Sequence, residues 1–368
     1  MEGILNFFTG LTTVFEQGLI LAIMVMGVYL TYKILDFPDL SVDGTFPLGA
    51  FVLAAVILKD VNPVIGMFIA FLAGCLAGFA TGVMHVKLKI TNLLSGILTM
   101  SALYSINSRV VGKANVYIPG EKTIFNLFKY DRLYILVIVM IICLAAKFTC
   151  DYILKDKKSF IISMVIYVAL FAGLMSYTIT SKNVTLIIIA DIVFIIKVSL
   201  DYLLNTKFGF ALRAIGDNED LVVGLGVNEK NMKIFGLMLS NGLVALAGSL
   251  YGQYLKFADL QMGIGTIVIG LASIIIGQGI LKKDKLINNP SIVVIGALLY
   301  QFIIYVALRS NDWLKALYQS LNLSQNTIKI LEIKTTDLKL ITALIVVLIL
   351  ASSNKKIKSV FRRRGANQ

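Results

Sequence analysis

Residues 207–228 read Lys-Phe-Gly-Phe-Ala-Leu-Arg-Ala-Ile-Gly-Asp-Asn-Glu-Asp-Leu-Val-Val-Gly-Leu-Gly-Val-Asn, a run built for directed polar contacts. Gly209 and Gly216 punctuate the chain on either side of a short helix that carries Arg213. Asp217 is a good N-cap, Asn218 comes next, and Glu219 and Asp220 suit the positive first turn of a second helix. Leu221, Val222 and Leu225 give that helix an apolar side, Gly224 to Gly226 ends it, and Asn228 can cap the next span. The plain reading is a capped loop helix that stabilises its surroundings.

A second polar constellation spans Asp36 to Gly49. It holds Asp36, Asp39 and Asp43, two prolines, two glycines, and hydroxyls at Ser41 and Thr45, with apolar blocks on both sides. Polar residues and irregular backbone at membrane depth survive only when buried in protein or lining water. An ordinary turn is the competing reading. A third set lies on 92–111, where Ser101, Ser105 and Ser108 share a helical face and Asn107 sits beside it. Interhelical hydrogen bonding explains such residues as well as pore lining does. Asp191 and Lys197 are costly in lipid and must face protein or water. Lys197 and Asp201, spaced i,i+4, read as a pair.

Catalytic chemistry is missing. His85 is the single histidine, so a His-based metal cluster and a catalytic triad are both unavailable. No G-x-x-x-x-G-K-[ST] loop occurs, and Gly120-Glu-Lys-Thr is too short to serve as one. No catalytic residue, metal site or cofactor is therefore expected in this chain.

The elements that must position these residues are membrane helices. The chain is 58% hydrophobic and 15% charged over 368 residues, against roughly a quarter charged in soluble domains. Its apolar residues gather into blocks of the roughly 20 residues that cross a bilayer. Eleven spans are expected, near 18–35, 44–58, 63–84, 92–111, 133–150, 160–179, 185–204, 233–255, 263–281, 290–308 and 338–351. The fold class is all-α, a polytopic transmembrane bundle of ten or eleven helices forming a single domain. The start, Met1 to Gln17, has two acids and no basic residue, unlike a cleaved signal peptide, so the first span is expected to stay.

The net charge of +13 does not indicate nucleic acid, because the basic residues sit in connections between apolar blocks. Segments 85–91, 155–158, 205–233, 282–289 and 352–368 hold 18 Lys and Arg; the alternate set holds 12. Basic segments stay in the cytoplasm. That places the C-terminus and 205–233 inside, and the large 309–337 loop outside. Gly44-Thr45-x-x-x-Gly49 returns as Gly265-Thr266-x-x-x-Gly270 on a span expected to run the opposite way, an echo of an inverted repeat.

The run G-F-A-L-R-A-I-G-D-N-E at 209–219, with G-L-G-V-N at 224–228 after it, resembles the cytoplasmic loop of permeases in the branched-chain amino acid and ribose transport group. Gly209, Arg213, Gly216, Asn218, Glu219 and Gly226 match that pattern one by one. Residues 33–50, 93–107, 263–273 and 337–344 resemble a subgroup near importers for tryptophan and tyrosine, in the same order. Residues 133–180 depart as an inserted helical pair, and 310–336 as an enlarged external loop. The resemblance implies a permease of an ATP-binding-cassette importer in a bacterial cytoplasmic membrane, working as a homodimer in contact with lipid. It implies partner ATPase subunits holding ATP and Mg, docked on the 209–226 segment with Asp217 at its centre, and an external solute-binding protein. Asp39, Ser41, Asp43, Thr45, Ser101, Ser105 and Asn107 are the expected lining of the route. An amino acid is the favoured solute, with a nucleoside or small sugar next. The rivals are an ion-coupled carrier, for which Asp191 is the best ion site, and an integral-membrane enzyme, for which no polar cluster exists.

The topology is tested by single cysteines in intact cells. A cysteine at position 320 should react with an impermeant reagent and one at 360 should not; the reverse pattern overturns the assignment.

Overall fold

The computed structural model describes residues 2–154, 157–224, 226, 228–281 and 289–320, with isolated positions at 337, 340, 344 and 347. Helix α1 (Glu2–Tyr29) runs into one π-helical turn, Leu30–Ile34. Helices α2 (Val42–Ile57), α3 (Pro63–Val86) and α4 (Asn92–Val111) come next. A short strand β1 (Asn115–Tyr117) and α5 (Ile124–Leu127) lead to α6 (Leu133–Leu154), α7 (Lys157–Ser181) and α8 (Thr185–Leu204). Then come α9 (Lys207–Asp217), α10 (Glu219–Gly224), α11 (Glu229–Leu255), β2 (Phe257–Asp259), α12 (Thr266–Ile280) and α13 (Asn289–Ser320).

Ten of the eleven expected spans are helices. The last, 338–351, lies almost wholly outside the described residues. Among the described residues, six helical stretches are long and apolar enough to cross a membrane: Gly10–Ile34, Pro63–Val86, Phe160–Ser181, Glu229–Leu255, Leu260–Ile280 and Asn289–Arg309. Two boundaries differ from expectation. The first helix begins at Glu2 rather than near residue 18, and α13 runs on to Ser320, so the loop expected from 309 starts as helix. In both places the helical hydrogen bonds continue past the apolar block, because polar residues at a helix end are no obstacle to the helix itself.

Helix α11 forms the centre, packed on α1, α2 and α3. Lipid tails are as apolar as leucine, so close packing rather than water exclusion holds such helices together. A Cβ at Gly49 would strike the Ala245 carbonyl, one at Gly248 the Phe46 carbonyl, and one at Gly78 the Leu237 carbonyl. Backbone thus touches backbone along α11, and the Ser240 hydroxyl donates to the Gly27 carbonyl at 2.7 Å.

The connections at one end of the bundle are clipped together. β1 pairs antiparallel with β2, with Val116 opposite Ala258. Lys122 pairs with Asp60, and Gln253 accepts the Ile124 N–H at 2.8 Å. At the opposite end lie α9, α10 and the α1–α2 turn.

Helices α6 and α7 are peripheral. Phe160–Ser181 is only 6% buried, so α7 depends on few contacts. Those contacts are charged. Lys197 pairs with Asp201 at 2.6 Å, as the spacing implies, and donates to the Tyr167 hydroxyl at 2.7 Å. Lys147 pairs with Asp151 at 2.5 Å and approaches Asp201 at 3.8 Å, while Ser163 donates to Asp151 at 2.8 Å. One buried network therefore joins α6, α7 and α8. Removing one member leaves an uncompensated buried charge, which costs about 3–5 kcal/mol. Lys197→Met should lower the thermal unfolding midpoint in detergent, and Lys197→Met with Asp201→Leu should recover most of the loss; an unchanged midpoint for the single variant contradicts the network.

Candidate functional site

The chain reverses after α1 through an irregular segment, with Asp36 in the left-handed region at φ 51°. Residues 35–41 then run back into the protein, and α2 begins beside the middle of α11. Irregular backbone there must be satisfied locally, as by the Phe37 N–H on the Thr31 carbonyl at 2.9 Å, and the polar side chains the segment carries inward are gathered by Asn241 of α11. Its Nδ2 donates to the Asp39 carboxylate at 2.8 Å, and its Oδ1 accepts from the Thr45 hydroxyl at 2.7 Å and the Ser41 hydroxyl at 3.1 Å. The other Asp39 oxygen accepts the Ser41 N–H at 2.9 Å. Asp39, Ser41, Thr45 and Asn241 are all fully buried.

Asp43, two residues on from Ser41, works across the bundle. Its carboxylate accepts the Gly265 N–H, the Ile267 N–H and the Thr266 hydroxyl, each at 2.9 Å. These are the free donors at the start of α12, so Asp43 of one broken element caps the other. Asn107 of α4 donates to the Gly44 carbonyl at 3.0 Å and is itself buried. Helix α2 runs from this meeting point towards the Asp60–Lys122 end. Helix α12 runs the other way, passing Val28 at Gly270 and Ile292 at Gly277. The two echoed Gly-Thr motifs thus open two helices of opposite direction.

Helix α4 divides the hydroxyl residues. Ser95, Thr99 and Asn107 are buried, with Thr81 donating to Thr99 at 2.8 Å. Ser101 and Ser105 lie on the exposed face, together with Tyr104.

At the far end, the Thr206 side chain accepts the Gly209 N–H at 3.4 Å and starts α9 earlier than expected. Gly209 and Gly216 are inside this helix rather than at its edges. They are required there by close approach, since a Cβ would strike the Leu203 carbonyl at one and the Ile34 carbonyl at the other. Asp217 closes α9 and does not cap α10; the break falls at Asn218, whose backbone is extended. This is a correction to the expected N-cap, and its cause is that α9 holds its register one residue longer, with the Asn218 N–H still bonded to Ala214. Gly226, at φ 79°, ends the pair as expected, and Asn228 caps α11 by accepting the Asn231 N–H at 3.2 Å. Arg213 lies 5.7 Å over the Phe210 ring. Glu219 pairs with Lys233 of α11 at 2.5 Å. The hydrogen bond from Lys233 holds the Glu219 carboxyl below its ordinary value. Its contribution is present above that ordinary value and is lost as pH falls through the lowered one. Phe210 itself is exposed, beside the charged run.

The structure therefore brings Asp39, Ser41 and Thr45 together on Asn241, places Asp43 on α12 and Asn107 on α2, and leaves Ser101 and Ser105 apart from them on the exposed face. Asn241 and Phe210 were not legible as site residues. A lone asparagine in an apolar span was the available signal for the first.

Residues 10–351 match a family described as the permease component of branched-chain amino acid transport systems. The chain is 38% identical over 349 residues to the tyrosine transport system permease protein of Clostridioides difficile (strain R20291), covering 95% of this chain and 93% of that one. It is 30% identical over 279 residues to an uncharacterised protein of Rickettsia prowazekii (strain Madrid E), covering 76% and 80%. No solved structure matches.

Asn241→Ala would leave one Asp39 oxygen and the Ser41 hydroxyl without their partner, at about 1–3 kcal/mol for each unsatisfied group, while the Thr45 hydroxyl keeps its bond to the Ser41 carbonyl at 3.0 Å. The expected result is a marked fall in the yield of monodisperse protein and in its unfolding midpoint. Asn241→Leu should be no better, because shape is not what the site needs; wild-type stability in either variant contradicts this account.

Proposed function

The chain belongs to the branched-chain amino acid transport permease family, and from that premise we propose that it imports an amino acid, an aromatic one above all, by alternating access. The observation that supports the solute most directly is the 38% identity to a tyrosine permease along nearly the whole of both chains. The energy then comes from a partner ATPase, as the family of transport-system permease components supports. In this reading an ATPase pair binds the α9–α10 end from the cytoplasm, using exposed Phe210, Asp217 and Asn218. A solute-binding protein docks at the Asp60–Lys122 end from outside. A second copy of the chain completes the route in a bacterial cytoplasmic membrane.

The exposed face of α4 supports placing the route there. Hydroxyls at Ser101 and Ser105 and the Tyr104 ring are out of place against lipid and well placed against water and a polar solute. Asp39, Ser41, Thr45 and Asn107 then shape the wall behind it, while the Asp43 carboxylate is turned to α12. Arg213 and Glu219 hold the docking helices in position from within the chain, and Gly209, Gly216 and Gly226 set their geometry.

Reconstitution with its ATPase and solute-binding partners tests the reading. ATP-dependent uptake of labelled tyrosine, competed by tryptophan and phenylalanine and unaffected by an ionophore, is expected. Uptake of a nucleoside or ribose in its place overturns the solute. Uptake without ATP that an ionophore abolishes favours the ion-coupled carrier, for which buried Asp191, neither of whose carboxylate oxygens has a hydrogen-bond partner among the described residues, is the ion site to test.

A further inference from the structure

Between α9 and the start of α12 runs an unbroken set of tight contacts, most of them made by one short stretch of chain. At one end, Gly216 of α9 lies so close to the Ile34 carbonyl that no side chain fits between them. Ile34 closes the π-helical turn, the widest and least regular part of α1. The next residue, Leu35, packs against Gly236 of α11 and, with Leu212 of α9, fills the space over that glycine. Phe37 is held from two sides. Its N–H donates to the Thr31 carbonyl at 2.9 Å, and its ring meets His85 edge-on at 5.1 Å. Asp39 is fixed to Asn241, and Leu40 lies against Gly96 of α4. At the other end the Asp43 carboxylate holds three donors of α12, and its carbonyl lies against Gly263.

At four points, Gly216 on Ile34, Gly236 on Leu35, Gly96 on Leu40 and Gly263 on Asp43, the contact leaves no room for a side chain. A packed element of this kind has few intermediate positions, and displacement at one end must appear at the other or break a contact. Helix α12 can follow such a displacement. It is short, 15 residues, its first turn is anchored by Asp43, and it would carry α13 with it, since Gly277 and Gly296 bring the two backbones together.

We propose that residues 35–43 are the rod that transmits movement of α9 to the buried start of α12, and that Asp43 is the positioning residue at its working end. This rests on the reading that α9 meets the ATPase. Asp43 acts through α12 and need not touch solute. Leu35 is the residue at the driving end. The two are parts of one linkage, so removing either should disconnect transport from hydrolysis, and removing both should add little.

The test is a double-variant cycle in the reconstituted complex of permease, ATPase and binding protein, reading solute imported per ATP hydrolysed. Asp43→Asn and Leu35→Ala should each assemble, keep basal hydrolysis within about twofold of wild type, and lower that ratio on the order of tenfold. The double variant should match the weaker single variant. Thr266→Val, which deletes one of the three bonds to Asp43, should lower the ratio less and also fail to combine with Leu35→Ala; it serves if Asp43→Asn does not assemble. A wild-type ratio in Asp43→Asn or Thr266→Val overturns the proposal. So does a double variant whose loss is the product of the two single losses, or a fall in basal hydrolysis that matches the fall in uptake. A wild-type complex that imports without ATP overturns the reading beneath it instead, and the cycle is then never the cause of failure.

Discussion

In the interior of a bilayer no water is available to a backbone that leaves helical geometry, so every such group must find its partner within the protein. The stretch between α1 and α2 meets this constraint with local bonds, the Phe37 N–H on the Thr31 carbonyl and the Ser41 N–H on the Asp39 carboxylate, and Asn241 meets the same demand for the polar side chains this stretch carries inward. One amide presents a donor to Asp39 and an acceptor to both Ser41 and Thr45. An amide suits this position because it carries both functions in one plane. Aspartate at 241 would face Asp39 with like charge, and leucine would leave one Asp39 oxygen and the Ser41 hydroxyl without a partner. With the turn satisfied, α2 can begin in the middle of the bundle instead of at its edge.

The remainder of the architecture depends on that placement. Because α2 starts deep, its first turn lies beside the first turn of α12, and Asp43 can cap a helix more than two hundred residues away in sequence. Because α2 crosses α11 closely, the crossing must be made by Gly49 and Gly248, where larger residues would force the backbones apart. The small residues and the buried polar cluster are thus two aspects of one packing problem. The peripheral pair α6 and α7 solves a different problem, attachment of nearly unburied helices, and uses charge to do so. Its network of lysines and aspartates lies away from the centre and shares no residue with the Asn241 cluster.

The α9 end shows how a short element can be stiff without being large. Helix α9 has 11 residues and α10 has six, lengths that are marginal in isolation. They are held by Thr206 and Asn228 at their outer limits, by Gly216 against α1, and by the Glu219–Lys233 pair against α11. Two residues of the resembling pattern, Gly216 and Glu219, therefore make their contacts with the chain's own bundle, Glu219 from a half-exposed position, while Phe210 faces out. Resemblance in sequence marks the element; it does not say which of its residues face outward.

Much of this protein was legible in its sequence. The apolar blocks define ten of the helices, because crossing hydrocarbon imposes a length and a composition that local sequence must satisfy. The Lys197–Asp201 pair was legible from i,i+4 spacing, and the Asn228 cap and Gly226 stop from local turn chemistry. The run at 209–228 also marked out the family matched over residues 10–351. Tertiary structure alone decided the rest. Lys147 and Asp151 join the Lys197 pair only because α6 lies against α8. Asp39 and Asp43 look alike in sequence, four residues apart and each two residues before a hydroxyl; folding sends one to α11 and the other to α12. Ser105 and Asn107 are two residues apart on one helix, and one is exposed while the other is sealed against Gly44. Period and composition fix what a helix is, but the partner of each face is set by residues one hundred to two hundred positions away, and no local signal encodes that choice.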